Sequence, residues 1–221
     1  MTGVYAAKLH AETDHLHQRV RDRYALESTD DYVCVGRGEM DITRGTPLLL
    51  PGLYAMPHWN LLFPERGEAV PFTVTTAGVE VAGREALITQ RAFTFESSTR
   101  RFDSLTVYDD DRDRLFDFLG RGGHIVSELH PCVESGELVI EGGKQWARVA
   151  GRYLPLAGPM AASVEVRDNF LDSEDRFRVR AEVTNPLIGE ILGYSGKFTQ
   201  KTESRATESL RPCATPTTLP P

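Results

Sequence analysis

In the run QRAFTFESSTRRFDS, residues 90–104, an arginine stands two residues before one phenylalanine and four before another. On an extended chain alternate side chains share a face. Arg91 therefore falls with Leu87, Thr89, Phe93 and Phe95, while Ile88, Gln90, Ala92 and Thr94 take the other side. The aromatic face is the one a fold buries, and a buried guanidinium without a partner is very costly. A structural ion pair would answer this, with Glu165 or Asp103 as the carboxylate. So would a cavity in which Arg91 is one of few polar groups. A one-residue slip in register would instead move Arg91 to the other face. In a cavity, the five fixed donors of a guanidinium suit it to orient a carbonyl, an enolate or a carboxylate. Glu165 would then balance its charge, with Tyr194 as a second polar group. Phe93, Phe95, Thr89, Trp59 and Tyr54 would form the walls.

Other constellations are weaker. His124, Glu128, His130 and Cys132 share one face of GHIVSELHPC, but an extended strand puts positions 124 and 130 about 20 Å apart, too far for one ion. DDDRD, residues 109–113, lacks the spacing and glycine of a calcium loop and reads as a hairpin tip. GRGGH, residues 120–124, lies between strands and not before a helix, so it reads as a turn. No nucleophile elbow, zinc-protease motif, P-loop or dinucleotide fingerprint is present. No metal or cofactor is expected.

Composition narrows the class. The chain has 221 residues, 40% of them hydrophobic, and a net charge of −7 with scattered basic residues. That balance argues against nucleic acid or an anionic membrane surface as the main partner. No apolar run approaches the roughly 20 residues of a membrane span, and the N-terminus lacks the pattern of a secretory signal. The three cysteines, Cys34, Cys132 and Cys213, are widely spaced. Unpaired thiols fit a reducing cytoplasm.

The elements that must position these residues are mostly strands. Residues 4–26 read as one amphipathic helix, with Leu16, Val20 and Tyr24 at four-residue spacing. From Tyr32 the period changes to two, and about ten strands follow, separated by turn residues. Residues 47–64 are apolar and carry four prolines, which argues against a regular helix or central strand. They read as a loop folded over one end of the body. A link runs through Pro155 and Pro159, and the proline-rich tail reads as disordered.

Taken in order, VGRGEMD, LLFPERGEAVPFTV, GREALITQRAFTF, RRFDSLTVYD, FDFLG, GELVIEGG, EVRDNF and EVTNPLIGEILGYSGKF resemble the bacterial family catalogued as domain of unknown function 4166. The similarity runs from about Leu16 to Phe198. The resemblance implies no reaction. It places Arg91, Phe93, Arg101, Phe102, Asp117, Gly120, Glu165, Asn185, Tyr194 and Gly196 at pattern positions. Thr89 departs from an aromatic often found two before the arginine, which leaves more room beside Arg91.

The expectation is therefore an all-β protein: a largely antiparallel, closed or near-closed, calycin-like barrel of about ten strands with an N-terminal helix. Residues 1–201 form one domain, and residues 202–221 the tail. The expected partner is a hydrophobic small molecule, with no nucleic acid and no membrane insertion. The expected activity is a cofactor-free ring closure, cycloaddition or isomerisation of a polyketide-like substrate by Arg91, Glu165 and Tyr194. The alternative is a lipophile-binding carrier without catalysis.

Overall fold

The computed structural model describes residues 3–45, 50–205 and 210–221. Eleven strands follow an N-terminal helical segment. They are β1 Tyr32–Arg44, β2 Gly67–Val81, β3 Arg84–Thr94, β4 Thr99–Asp109, β5 Arg114–Leu119, β6 Ile125–Glu134, β7 Glu137–Val149, β8 Arg152–Leu156, β9 Ser163–Leu171, β10 Arg176–Asn185 and β11 Gly189–Ser204. Every pairing is antiparallel. β1 to β7 meander in sequence order, the first part of β7 pairs β9, and β9, β10 and β11 lead back to β1. Ten strands thus close a barrel, and β8 hangs outside on the second part of β7. This eleventh strand lies in the link through Pro155, where no strand was expected. Pro155 fits there because an edge strand has no second ladder to supply with an N–H.

Short hairpins with residues in the left-handed region close the strand pairs. Ala82 and Gly83 turn β2 into β3 at φ 52° and 76°, and Ser135 and Gly136 turn β6 into β7 at 51° and 84°. These hairpins share one end of the barrel with those around Asp110 and Asp172.

The N-terminal segment plugs that end. It is not one helix but two, α1 Val4–Leu9 and α2 Gln18–Tyr24, joined by a 3-10 turn over His10–His15. His10 takes a positive φ of 51°, and Leu16 is extended. A straight rod would touch the round mouth of a barrel along only one line. The breaks let Val4, Tyr5, Leu9, Leu16 and Val20 all enter the same core as the inward residues of the strands. Polar ties hold the plug to the hairpins: Lys8 Nζ to Asp113 at 3.0 Å, His17 to Asp172 at 3.2 Å, and the His17 amide to the Gly136 carbonyl at 3.0 Å. Gly78 is needed where the chain leaves the plug, since a Cβ there would collide with the backbone of Glu27.

The apolar proline-rich segment caps the opposite end. Its first residues, 47–49, lie outside the described residues. The rest holds a helix, α3 Leu50–Ala55, and a 3-10 turn, Met56–Trp59, so the expectation of an irregular loop is corrected. Pro51 and Pro57 sit in first turns, where a missing N–H costs nothing. The cap is fastened by the Arg121 amide to the Trp59 carbonyl at 2.5 Å and by Asn60 Nδ2 to Asp103 at 2.7 Å. Gly120, at φ 72°, lets it come close: a Cβ would stand 2.5 Å from the Trp59 carbonyl oxygen.

The outer face of β2 to β7 is also apolar. Val79, Ile88, Leu105, Val107, Phe116, Phe118, Val126 and Trp146 form a second core, covered in part by the tail through Ala214, Leu210, Cys213 and Leu219. Tyr153 Oη donates to the Thr218 carbonyl at 2.5 Å, and Arg112 and Arg114 hold the carbonyls of Pro220 and Pro221 at 2.7 and 2.9 Å. Residues 210–221 are therefore an extended strap and not the free tail expected. Proline removes helix and sheet from a segment without removing its ability to lie against an apolar surface. Deleting residues 210–221 should lower stability by about 3–4.5 kcal/mol, two or three apolar contacts at roughly 1.5 kcal/mol each. Urea melts with a hydrophobic dye would show a lower midpoint and new dye binding; an unchanged midpoint would contradict this packing.

Candidate functional site

Between plug and cap the barrel interior is incompletely filled. The cavity measures about 180 Å³ by the space open to water centres, against roughly 10–15 Å³ for a single water on that measure. Its cap side is apolar: Met56, Leu61, Leu62, Leu119, Ile125, Val164 and Val183 line it. Its plug side is polar, with Tyr5, Arg23, Tyr24, Arg91, Asp117, Asp168 and Tyr194.

The register puts Arg91 inside. It pairs with Val74 on β2 and Phe102 on β4, so Leu87, Thr89, Arg91 and Phe93 point inward together. Its guanidinium carbon lies 5.2 Å from the centre of the Phe102 ring. Among the described residues it makes no hydrogen bond or ion pair. It is enclosed by protein yet keeps accessible surface, and that surface belongs to the cavity. Burial works against its charge, but Tyr194, Asp117, Tyr24 and Tyr5 outweigh burial and hold its pKa above the ordinary value. Tyrosines are neutral near neutral pH, so Asp117 supplies the physically relevant counter-charge.

Two buried carboxyls complete the polar centre. Asp117 accepts a hydrogen bond from Thr106 Oγ1 at 2.8 Å. Burial raises its pKa despite Arg91 and hydrogen bonds from Thr106 and Ser104. Asp168, 1% exposed, sits across the ring on β9. It takes a hydrogen bond from Tyr24 Oη at 2.8 Å and faces Arg23 Nε at 3.3 Å. Burial raises its pKa as well, ahead of the opposing pull of Arg23. Arg23 in turn donates to Gln200 at 2.8 Å and lies 4.7 Å from the Phe198 ring centre. Arg23 is thus a paired cation, whereas Arg91 is not.

Arg91, Tyr194 and Thr89 line the cavity. Phe93 is fully buried among Phe63, Phe72 and Tyr194, and Phe95 packs against Phe63; both support the wall from behind. Glu165 does not join them. It projects outward from β9 and binds Arg167 at 2.8 Å, because Val164, Val166 and Asp168 own the inward face. Asp103 also faces away, toward Asn60 and Arg101. Tyr54 and Trp59 are 63% and 43% exposed on the outside of the cap, while Met56, Leu61 and Leu62 face the cavity. Asp117 and Asp168 were legible by the rule that marked Arg91, since each shares its face with apolar neighbours: Leu115 and Leu119 for one, Val164 and Val166 for the other. Among the described residues no three of His, Cys, Asp or Glu gather as metal ligands. Glu128 is engaged by Arg114 through two bonds of 2.8 Å.

Fold and site together define a closed antiparallel barrel with a capped cavity and a charged centre. The family model described as "Domain of unknown function (DUF4166)" matches residues 16–198, and the chain belongs to that family. It is similar to the "Uncharacterized protein YndH" of Bacillus subtilis (strain 168), with 29% identity over 189 residues, 84% of this chain and 91% of the relative. A solved structure from Thermobifida fusca YX, assigned as a thioesterase II, aligns over 84% of this chain and 98% of its own, at 10% identity and a TM-score of 0.22. A score that low carries no argument about fold or activity.

Two measurements check the charged centre. Asp168→Ala leaves Arg23 buried without its carboxylate and should cost about 3–5 kcal/mol in a urea melt; a loss under about 1 kcal/mol would contradict the pairing. Asp117 binds its proton more tightly folded than unfolded. Its contribution to stability is present below the ordinary value of 3.8 and lost as pH rises through the higher folded value. Asp117→Asn removes that loss. Its stability relative to the parent should rise as pH increases above the ordinary value of 3.8, and a pH-independent difference would contradict the shift.

Proposed function

We propose that the barrel binds a lipophilic small molecule end-on, with an oxygen-bearing head, carbonyl, enolate or carboxylate, held by Arg91. The observation that carries this reading is the guanidinium itself. Its donors face a cavity whose cap side is apolar, and among the described residues no protein acceptor hydrogen-bonds it. A charge kept in that setting gains most from a ligand that brings the acceptor. The division of the lining gives the orientation: head toward the tyrosines and carboxyls of the plug, hydrocarbon toward Leu61, Leu62 and Met56 of the cap.

A cofactor-free isomerisation or ring closure is the second reading. Asp117 favours it, as a buried carboxyl with a raised pKa facing the same space as Arg91. Asp117 would take a proton from the carbon next to a carbonyl as the electron pair moves onto oxygen. Arg91 would stabilise that enolate, and return of the proton to a different carbon would complete an isomerisation. The place beside Arg91 expected for the carboxylate of Glu165 falls to Asp117 in this reading.

Arg91→Met keeps much of the volume and removes the charge. The variant should fold, with an equal or higher melting midpoint. It should bind a dansyl-labelled fatty acid at least about tenfold more weakly, roughly 1.4 kcal/mol, and no longer prefer the acid to its methyl ester. A folded Arg91→Met protein that binds the acid as the parent does would overturn the binding reading. With a substrate in hand, Asp117→Asn separates the two readings, because binding should remain and turnover should not.

A further inference from the structure

The molecule is polarised along the barrel axis. The plug end carries the acidic hairpins, with Asp110, Asp111, Glu134, Asp172 and Asp175, and the acidic residues Glu12 and Asp14 of the plug itself. The cap end is different. Arg66, Arg121 and Arg152 are exposed there and have no carboxylate partner among the described residues. Arg148 joins them, donating only to the Gly122 carbonyl at 3.3 Å. Of the carboxylates at this end, Glu65 is held by Arg100 and Asp103 by Arg101 and Asn60, and Glu190 accepts from Thr43. Glu68 and Glu96 are the exposed remainder. Asp14, Glu134, Asp172 and Asp175 meet Arg21, Arg167, His17 and Arg19, which leaves Asp110, Asp111 and Glu12 as exposed carboxylates at the plug end, and the cap presents the cationic face.

The same end carries large apolar side chains in water. Leu187 is 71% exposed, Met160 67%, Tyr54 63%, Val149 56%, Trp59 43% and Ile188 38%. They belong to different loops, yet the fold gathers them around the cap. Asn185 Nδ2 ties the Leu187 turn to the Met160 turn through the carbonyls of Pro159 and Ala161, at 2.9 and 2.7 Å. Trp59 packs edge-on to His124 at 6.2 Å, and the His124 carbonyl accepts from the Arg148 amide at 2.7 Å, one residue from Val149. Scattered apolar residues need no explanation, but a ring of them at one pole, interleaved with unpaired arginines, does.

We infer that the cap end docks on an anionic lipid bilayer, with the apolar ring entering the headgroup region and the arginines meeting lipid phosphates. Charge complementarity commits the occupant. A neutral apolar patch would suit many partners, whereas arginines around apolar side chains match the layering of a bilayer surface, charge outside and hydrocarbon within. The acidic hairpin around Asp110 and Asp111 at the plug end is repelled by the same surface, so the two poles orient the molecule with its cap down. The ring also surrounds the cap over the apolar side of the cavity, the position from which a lipophile would exchange with the bilayer. The overall acidic charge, which argued against a membrane surface when averaged over the chain, hides this polarity.

The test needs no ligand, so its outcome is independent of the cavity reading. The full chain is sedimented with vesicles of phosphatidylcholine and phosphatidylglycerol, and with phosphatidylcholine alone. Binding should require the anionic lipid and weaken with added salt. Trp59 emission should shift to the blue and be quenched by brominated lipid. Met160→Glu with Leu187→Glu should keep the parent's melting midpoint, since both side chains are exposed, and reduce partitioning at least tenfold. Arg66→Glu with Arg152→Glu should do the same. Absence of binding to anionic vesicles, or binding that survives both double substitutions, would overturn the proposal. So would concentration-dependent self-association, in the absence of vesicle binding, that the apolar double substitution abolishes; the ring would then be an interface between copies.

Discussion

A ten-strand barrel encloses more space than its inward side chains fill, and the rest of the structure follows from that surplus. Eight strands are roughly the number at which side chains alone can pack the interior or leave room for one small ligand. Here β7 pairs β6 on one side and both β8 and β9 on the other, and this junction brings β9, β10 and β11 into the ring. The wider ring has two open mouths. The N-terminal segment occupies one, and the segment ending in Leu61, Leu62 and Phe63 covers the other. Neither is free to be a straight helix, because each must follow a rim.

The surplus also explains how charges survive inside. Arg23, Asp168, Tyr24 and Gln200 engage one another where the plug meets β9 and β11. Arg91 and Asp117 stand nearer the middle, opposite that group in the strand order, with the cavity before them. A fully packed core would force a direct ion pair or expel both. An incompletely packed one lets a guanidinium keep its donors available while Asp117, with a hydrogen bond from Thr106, supplies a nearby counter-charge. This separates a structural cation, Arg23, from an unengaged one, Arg91.

Much of this was legible in the sequence where a two-residue period applies. The strands, their turns and the inward face of Arg91 follow from alternation and from turn residues such as Ala82, Gly83 and Gly136. The placement of the inner carboxyls was missed. Glu165 and Asp168 lie three residues apart on one strand, hence on opposite faces, and Val164 and Val166 mark the Asp168 face as the inward one. Asp117 could have been found, since it shares its face with Leu115 and Leu119. The breaks in the plug, the strap over Ile88 and Phe118, and the outward turn of Trp59 depend on the curvature of a rim and on contacts between residues far apart in sequence. A local pattern carries neither.

The central claim is that Arg91, and not Arg23, is the cation a ligand meets. Nitrogen–proton correlation spectra of the two guanidinium Nε groups during titration with a medium-chain carboxylate test it directly. The Arg91 resonance should move saturably, and that of Arg23, held by Asp168 and Gln200, should stay. Saturation of the cavity with Arg91 unmoved, or with Arg23 moving in its place, would contradict the account.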